Sequence, residues 1–493
     1  MSKFGDLLKN LKESLFGKHE RPESVEQRQP PKTEKQISSS SQAKSPSITS
    51  ERRDPIIVQI GFDFGTAYSK CICRDIITNK AWVHIPSEVD DAELPFLIRG
   101  TLHIEDGQLK KLKKMSSHKV DNVLYNLKQA LEKIALKQWE DPILDSYRIA
   151  IGATDSNRLS SIVEACAVYF LAGALGDVKA KVRQRLNAAK ELQGDYFAVN
   201  LALPVANAQR PQVNETYQRV LCKAWQLADT IQGHPPIALN ELEGLLCCFD
   251  TSENDACYIY PEVSANVQGF VRSRASSTGM YMFSDTGAGT VDQGVFIFER
   301  RTNEEEFLTY LHGNVLPLGS SCIDRYAAEL ASSVSFDQLE YWREEKERGS
   351  NAPELIEARE RVSMKLFQGT TATIALAREK LFVRDQMRDI RLIFGGGGHC
   401  PDPYQTAVML PFSGDLFGNV FTPDIVGLPR PHDLEIDPSD ERWLPRLSVA
   451  YGLSFLKSEL SRFTYPVDVR TPAPQELWLP QANVQHAPTQ EDV

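Results

Sequence analysis

Between Pro55 and Leu460 short apolar runs alternate with longer stretches whose apolar residues recur every three or four positions, a pattern that predicts strands interleaved with amphipathic helices and hence an α/β fold. The clearest strands are Ile56 to Phe62, Lys70 to Cys73, Met280 to Ser284, Gly294 to Phe298 and Arg391 to Phe394. Ahead of them, Phe4, Leu7, Leu8, Leu11, Leu15 and Phe16 fall at helical spacing with Lys3, Lys9 and Lys12 elsewhere on the wheel, which predicts a short amphipathic helix over residues 1–18. Its apolar stripe, residues 2–17, suits a membrane surface, a partner's groove or a site on its own domain, and Asp6 and Glu13 dilute the basic face. Residues 19–54 are dominated by Pro, Ser, Gln, Lys and Glu, include four consecutive serines from Ser38 to Ser41, and read as a flexible disordered linker. Pro466, Pro472, Pro474, Pro480 and Pro488 predict an irregular tail over residues 461–493. No stretch of about 18 residues is uninterrupted apolar sequence, so no membrane-spanning helix is expected. Lys9, Lys12 and Glu13 also interrupt what a secretory signal would need.

The 493 residues leave room for about three domains' worth of folded chain, and 42% hydrophobic with 25% charged residues is ordinary globular composition. Charge narrows the function classes: 55 Lys and Arg against 66 Asp and Glu leave −11, which argues against a broad nucleic-acid footprint. The nine cysteines form no C-x-x-C pair and no zinc-like cluster, so a reducing cytoplasm is the expected home, with peripheral membrane contact through residues 2–17 left open.

One local design occurs twice. The strand ending at Phe62 runs into Asp63-Phe64-Gly65-Thr66 and then the strand at Lys70; the strand ending at Ser284 runs into Asp285-Thr286-Gly287-Ala288-Gly289-Thr290-Val291-Asp292 and then the strand at Gly294. Glycine lets successive backbone N–H groups approach phosphate oxygens with no Cβ in the way. Thr66, Ser69 and Thr290 offer hydroxyl donors, while Asp63 and Asp285 at the strand ends would face the same phosphates. Like charges meet there only around a cation, which implies a hydrated Mg²⁺ whose waters the two carboxylates hold. A single such turn is an ordinary hairpin; two with matched flanks point to one phosphate site built twice.

With both hairpins in view, residues 56–460 resemble the actin, heat-shock 70 kDa and sugar-kinase ATPase superfamily, with most similarity to the nucleotide-binding domain of heat-shock 70 kDa chaperones. The resemblance implies a two-lobed actin-like ATPase fold, each lobe a duplicated ribonuclease-H-like mixed sheet flanked by helices, with lobes at 55–258 and 259–460 closing on Mg-ATP. It assigns phosphate contacts to Gly65, Thr66, Ala67, Ser69, Gly287, Ala288, Gly289 and Thr290, and metal and water contacts to Asp63, Asp285 and Asp292. Tyr260-Pro261-Glu262-Val263-Ser264-Ala265-Asn266-Val267 is similar to the first connecting helix, which would set Glu262 near the attacking water; the alternative is a first-turn glutamate favoured by the helix dipole.

The remaining landmarks follow in order. Asp121 to Lys128 resembles the stretch bearing the cleft lysine, so Lys128 would stand at the γ-phosphate, unless it is one lysine on a solvated helix. Phe197 to Arg210 resembles a strand, proline turn and helix start. Leu318 to Asp324 is similar to a Leu-Gly-Gly segment opening a helix, with Cys322 departing from the usual acidic or polar residue and Asp324 merely capping or facing solvent. Glu360 to Lys365 resembles the adenine-facing helix, with Lys365 against the base or on a plain surface helix. Gly395, Gly396, Gly397 and Gly398 look like the adenosine loop, although His399 and Cys400 depart from the pair that usually follows, and Asp402 suits a helix cap. Ser448 to Leu453 is similar to the second connecting helix, and no peptide-binding domain follows it. The implied activity is Mg-dependent hydrolysis of ATP to ADP by a chaperone-like switch with an unidentified protein partner or client. The alternatives are an actin-like filament or scaffold ATPase tethered by the first helix, and a small-molecule kinase.

Overall fold

The computed structural model describes residues 54–472 apart from 91, 113–121, 153–154, 189–190, 205–209, 250, 252–253, 274–275, 302–304, 333, 398–402 and 415–420. The expected amphipathic helix and linker, Gly398, His399, Cys400, Asp402 and the tail beyond Pro472 lie outside the described residues.

In chain order, β1 (Ile57–Asp63), β2 (Tyr68–Asp75) and β3 (Lys80–Val83) are followed by α1 (Leu127–Ala135), α2 (Ser156–Arg185), β4 (Tyr196–Leu203), α3 (Pro211–Leu227) and β5 (Cys257–Pro261). They form a mixed sheet ordered β3-β2-β1-β4-β5, in which the first three strands are antiparallel neighbours and β4 and β5 run parallel to β1. After α4 (Glu262–Asn266) the plan recurs with β6 (Gly279–Thr286), β7 (Val291–Arg300), β8 (Glu306–Leu316), α5 (Ser321–Leu330), α6 (Phe336–Glu347), α7 (Pro353–Arg378), β9 (Arg391–Gly395) and α8 (Leu444–Leu453). This sheet is ordered β8-β7-β6-β9, with β9 parallel to β6 and the short Asp424–Ile425 beyond it. In each sheet, therefore, the first hairpin turns at the carboxyl end of the central strand, the end at which open α/β sheets receive ligands.

Each sheet has its own core. Val58, Ile60 and Phe62 of β1 and Val199 and Leu201 of β4 pack with α1, α2 and α3, while Met282 of β6 and Val291 and Val295 of β7 pack with α5 and α7. By length and composition α2 is apolar enough to cross a membrane, which corrects the sequence expectation; its scattered Glu164, Asp177 and Lys179 hid that property, and 83% of its most apolar window is buried inside the fold. It abuts its neighbours through glycine, since a Cβ on Gly176 would lie 2.1 Å from Ile231 O.

Two stretches depart from their linear position. Leu434–Glu435 adds to β3, and α8 lies on the first sheet so closely that a Cβ on Gly61 would come 2.1 Å from Ala450 O. The proline-rich end is not wholly irregular: Arg462–Thr464 pairs parallel with β8, because alternation brings Phe463 against Tyr260 (5.7 Å between ring centres) before Pro466 stops it. A further small sheet ends in Val123–Leu124, from which Asn126, at φ 57°, turns the chain into α1.

Candidate functional site

Register places the first acidic turn. Asp63 closes β1 opposite Lys70 on β2, and Lys70 Nζ lies 2.6 Å from Asp63 Oδ2. The intervening turn is tight: a Cβ on Gly65 would stand 2.0 Å from Tyr68 O, and the Gly65 N–H donates to Ser69 Oγ over 3.3 Å. Ser69 is fully buried. Its hydroxyl braces the turn from within, and Ser69 is not among the cleft-lining residues.

The second turn is held from outside. Gly287 N–H donates to Thr290 O (2.9 Å), and the start of α5 clasps the backbone: Ser320 N–H bonds Gly287 O (3.0 Å) and Ser321 N–H bonds Ala288 O (2.8 Å). The first residues of the Leu318 to Asp324 landmark thus fix the second turn, and Gly319 is required because its Cβ would fall 2.4 Å from Ala288 O. The turns meet at their tips, where a Cβ on Gly289 would be 2.6 Å from Gln129 Nε2 and 2.8 Å from Thr66 Oγ1.

Between them opens a cleft of about 1150 Å³ lined by Asp63, Gly65, Thr66, Ala67, Lys128, Glu262, Asp285, Gly287, Ala288, Thr290, Asp292, Gly396 and Gly397. Lys128 Nζ reaches Glu262 Oε2 at 2.9 Å, and both side chains are buried. Burial alone would lower the Lys128 pKa, but Glu262 and the surrounding acids reverse that and hold it above its ordinary value. Burial, with Glu262 and Asp63 nearby, pushes the Asp285 carboxyl up to about 7. Burial and Glu262 likewise drive Asp292 well above the carboxylate range. Thr290 Oγ1 donates to Asp292 Oδ2 (2.9 Å), whereas the buried Asp292 Oδ1 has no partner.

Around the two turns Asp63, Glu262, Asp285 and Asp292 stand with the ammonium groups of Lys70 and Lys128, while the outer lining adds Asp324 and Glu347 against Arg343, Lys346 and Arg446. That donor set fits a hydrated divalent cation. Among the described residues no three His, Cys, Asp or Glu groups converge to chelate a metal directly, so any such ion would be held through its waters.

Some expected residues stand apart. Lys365 is exposed on α7, its Nζ 2.7 Å from Tyr326 Oη and 4.8 Å from that ring's centre. It is not among the cleft lining, because the face of α7 that carries it runs along α5. Gly395 packs on Phe283 instead, its Cβ position 2.5 Å from Phe283 Cζ.

Other cleft residues escaped the sequence reading. Lys70 could have been found by counting across the first hairpin. Arg446 packs on Gly397, whose Cβ position is 2.4 Å from Arg446 Nε, with its guanidinium 4.7 Å from the Trp443 ring centre. Lys346 lies 2.6 Å from the buried Asp324, which is therefore neither a solvent residue nor a plain cap. Behind the cleft lining, the buried Asn266 donates to Asp285, and nothing but its place four residues after Glu262 signalled it.

No protein-family model matches the chain, and no curated protein matches it. Among solved structures, a pCBH ParM non-polymerisable quadruple mutant is similar over 80% of this chain and 97% of its own, at 12% identity and a TM-score of 0.44.

Proposed function

We propose that the protein binds and hydrolyses Mg-ATP in this cleft, within a two-lobed actin-like architecture whose lobes, 55–258 and 259–460, each carry a ribonuclease-H-like sheet. One observation carries the reading: two acidic glycine turns, built on the same strand order, face each other across a cleft beside the buried Lys128–Glu262 pair. Backbone N–H groups of Thr66 and Ala67 and of Ala288 to Thr290 cradle the phosphates, with Thr66 adding its hydroxyl and Thr290 turning its hydroxyl from Asp292 Oδ2 to a phosphate oxygen. Lys128 supplies positive charge where the γ-phosphate develops negative charge, and Glu262 orients the attacking water. Asp63 and Asp285 would hold a Mg²⁺ through its waters; the ion would neutralise phosphate charge. The output we assign is a change in closure of the lobes, passed to a protein partner in the manner of a chaperone-like switch.

The test is ATP turnover by the full chain in Mg²⁺ and in EDTA, beside Asp285→Asn, with light scattering in the same samples. Mg-dependent turnover lost in the variant without scattering supports the switch. Scattering that rises with ATP and protein concentration would instead indicate a self-assembling ATPase.

A further inference from the structure

Asn266 ends α4 fully buried, where a carboxamide has to find partners for both of its polar atoms. Its Nδ2 donates to Oδ2 of Asp285 on β6, and its Oδ1 accepts from the Ser448 hydroxyl on α8. One side chain therefore bonds both the carboxylate of the phosphate turn and the helix that crosses α4. The second carboxylate oxygen meets the same helix by another route. A Cβ on Gly396 would stand 2.1 Å from Asp285 Oδ1, and the Gly396 N–H donates to Pro445 O at the start of α8 over 3.0 Å.

The crossing itself has no slack. A Cβ on Gly452 of α8 would fall 1.8 Å from Ala265 O, the residue before Asn266. Helices this close move as packed bodies, so a change in their crossing displaces Ser448 relative to Asp285, and only Asn266 bonds both. An amide is the side chain the position needs: a carboxylate would set like charge against Asp285, and an apolar group would strip a donor from Asp285 and leave the Ser448 hydroxyl only Pro445 O of its own helix, 3.0 Å away.

We propose that Asn266 is a positioning residue that ties the aim of the Asp285 carboxylate to the α4/α8 crossing, so that lobe closure and the setting of the phosphate site change together. The inference rests on the ATPase reading above. Coupling of this kind is reciprocal: filling the site favours the closed crossing as much as the crossing sets the site.

The test compares the full-length wild type with Asn266→Ala, Ser448→Ala, Ser448→Thr and the double Ala variant. It reads ATP affinity in EDTA, kcat and KM in Mg²⁺, and ATP-induced protection from trypsin. Both single Ala variants should bind ATP within about threefold of wild type, lose about tenfold or more in kcat with KM little changed, and lose most of the protection. Ser448→Thr, which keeps the hydroxyl, should restore both, and the double variant should be no slower than Asn266→Ala, as for two groups on one path. Full protection in Asn266→Ala, a Ser448→Thr as impaired as Ser448→Ala, or losses that multiply in the double variant overturns the inference. A wild type that binds no ATP removes the ATPase reading and this inference with it; a wild type that turns over while Asn266→Ala matches it removes the inference alone. Should Asn266→Ala fail to fold, the Ser448 pair decides.

Discussion

The ammonium of Lys128 and the carboxylate of Glu262 stand 2.9 Å apart, buried together, and join the second residue of α1 to the first residue of α4. The pair binds two elements about 130 residues apart in sequence and holds both charges at the cleft floor. Removing one partner of a buried pair leaves the other uncompensated, which costs about 3–5 kcal/mol. Lys128→Ala and Glu262→Ala should therefore melt earlier, and each should slow ATP turnover about a hundredfold or more. A Lys128→Ala that keeps wild-type stability and rate would mean the pair is neither structural nor catalytic.

Two glycine substitutions should act in opposite directions. Gly452→Ala has to push its methyl into the Ala265 carbonyl, so it should cost about 3 kcal/mol or more. Gly244, inside the helix Leu239–Leu246, has nothing within 4 Å of a Cβ, so Gly244→Ala should stabilise by up to about 1 kcal/mol. Thermal melts of the two variants check the tight crossing directly, and a harmless Gly452→Ala would contradict it.

His234 gives the acid side of the stability profile. Burial, with Lys111 near, lowers its pKa from 6.5 to about 4, and its Nε2 lies 2.9 Å from Phe170 O. The unfolded chain then binds the proton first, so this contribution is intact above pH 6.5 and is lost as pH falls toward 4. Replacing it by Gln keeps a donor and removes the titration. The loss of melting temperature between pH 6.5 and 4 should accordingly be shallower in His234→Gln, and an unchanged slope would sink the assignment.

The sequence made the two acidic turns legible because a glycine turn between two apolar strands is a local pattern, and finding it twice fixed the first hairpin of each sheet. What it hid was set by distant pairing. Lys365 has the residue type of a base contact, but the packing of α7 on α5 hands it to Tyr326. Ser69 has a donor's hydroxyl, and the tightness of the first turn points it at Gly65 N. Lys346 and Arg446 come to the cleft, and Asn266 to the back of Asp285, from helices whose crossing no short stretch encodes. The strand at Arg462–Thr464 was masked by the prolines that follow it, although Phe463 and Tyr465 carry its alternation.

The most direct measurement is ATP affinity by titration calorimetry for wild type, Thr66→Val and Thr290→Val, each with and without Mg²⁺. A hydrogen bond to a charged phosphate is worth about 1.5–3 kcal/mol, so each variant, one per turn, should bind ATP about tenfold or more weakly, and Mg²⁺ should tighten the wild type. Absence of ATP binding by the wild type, or weakening by a variant in one turn alone, would contradict a single phosphate site shared by both turns.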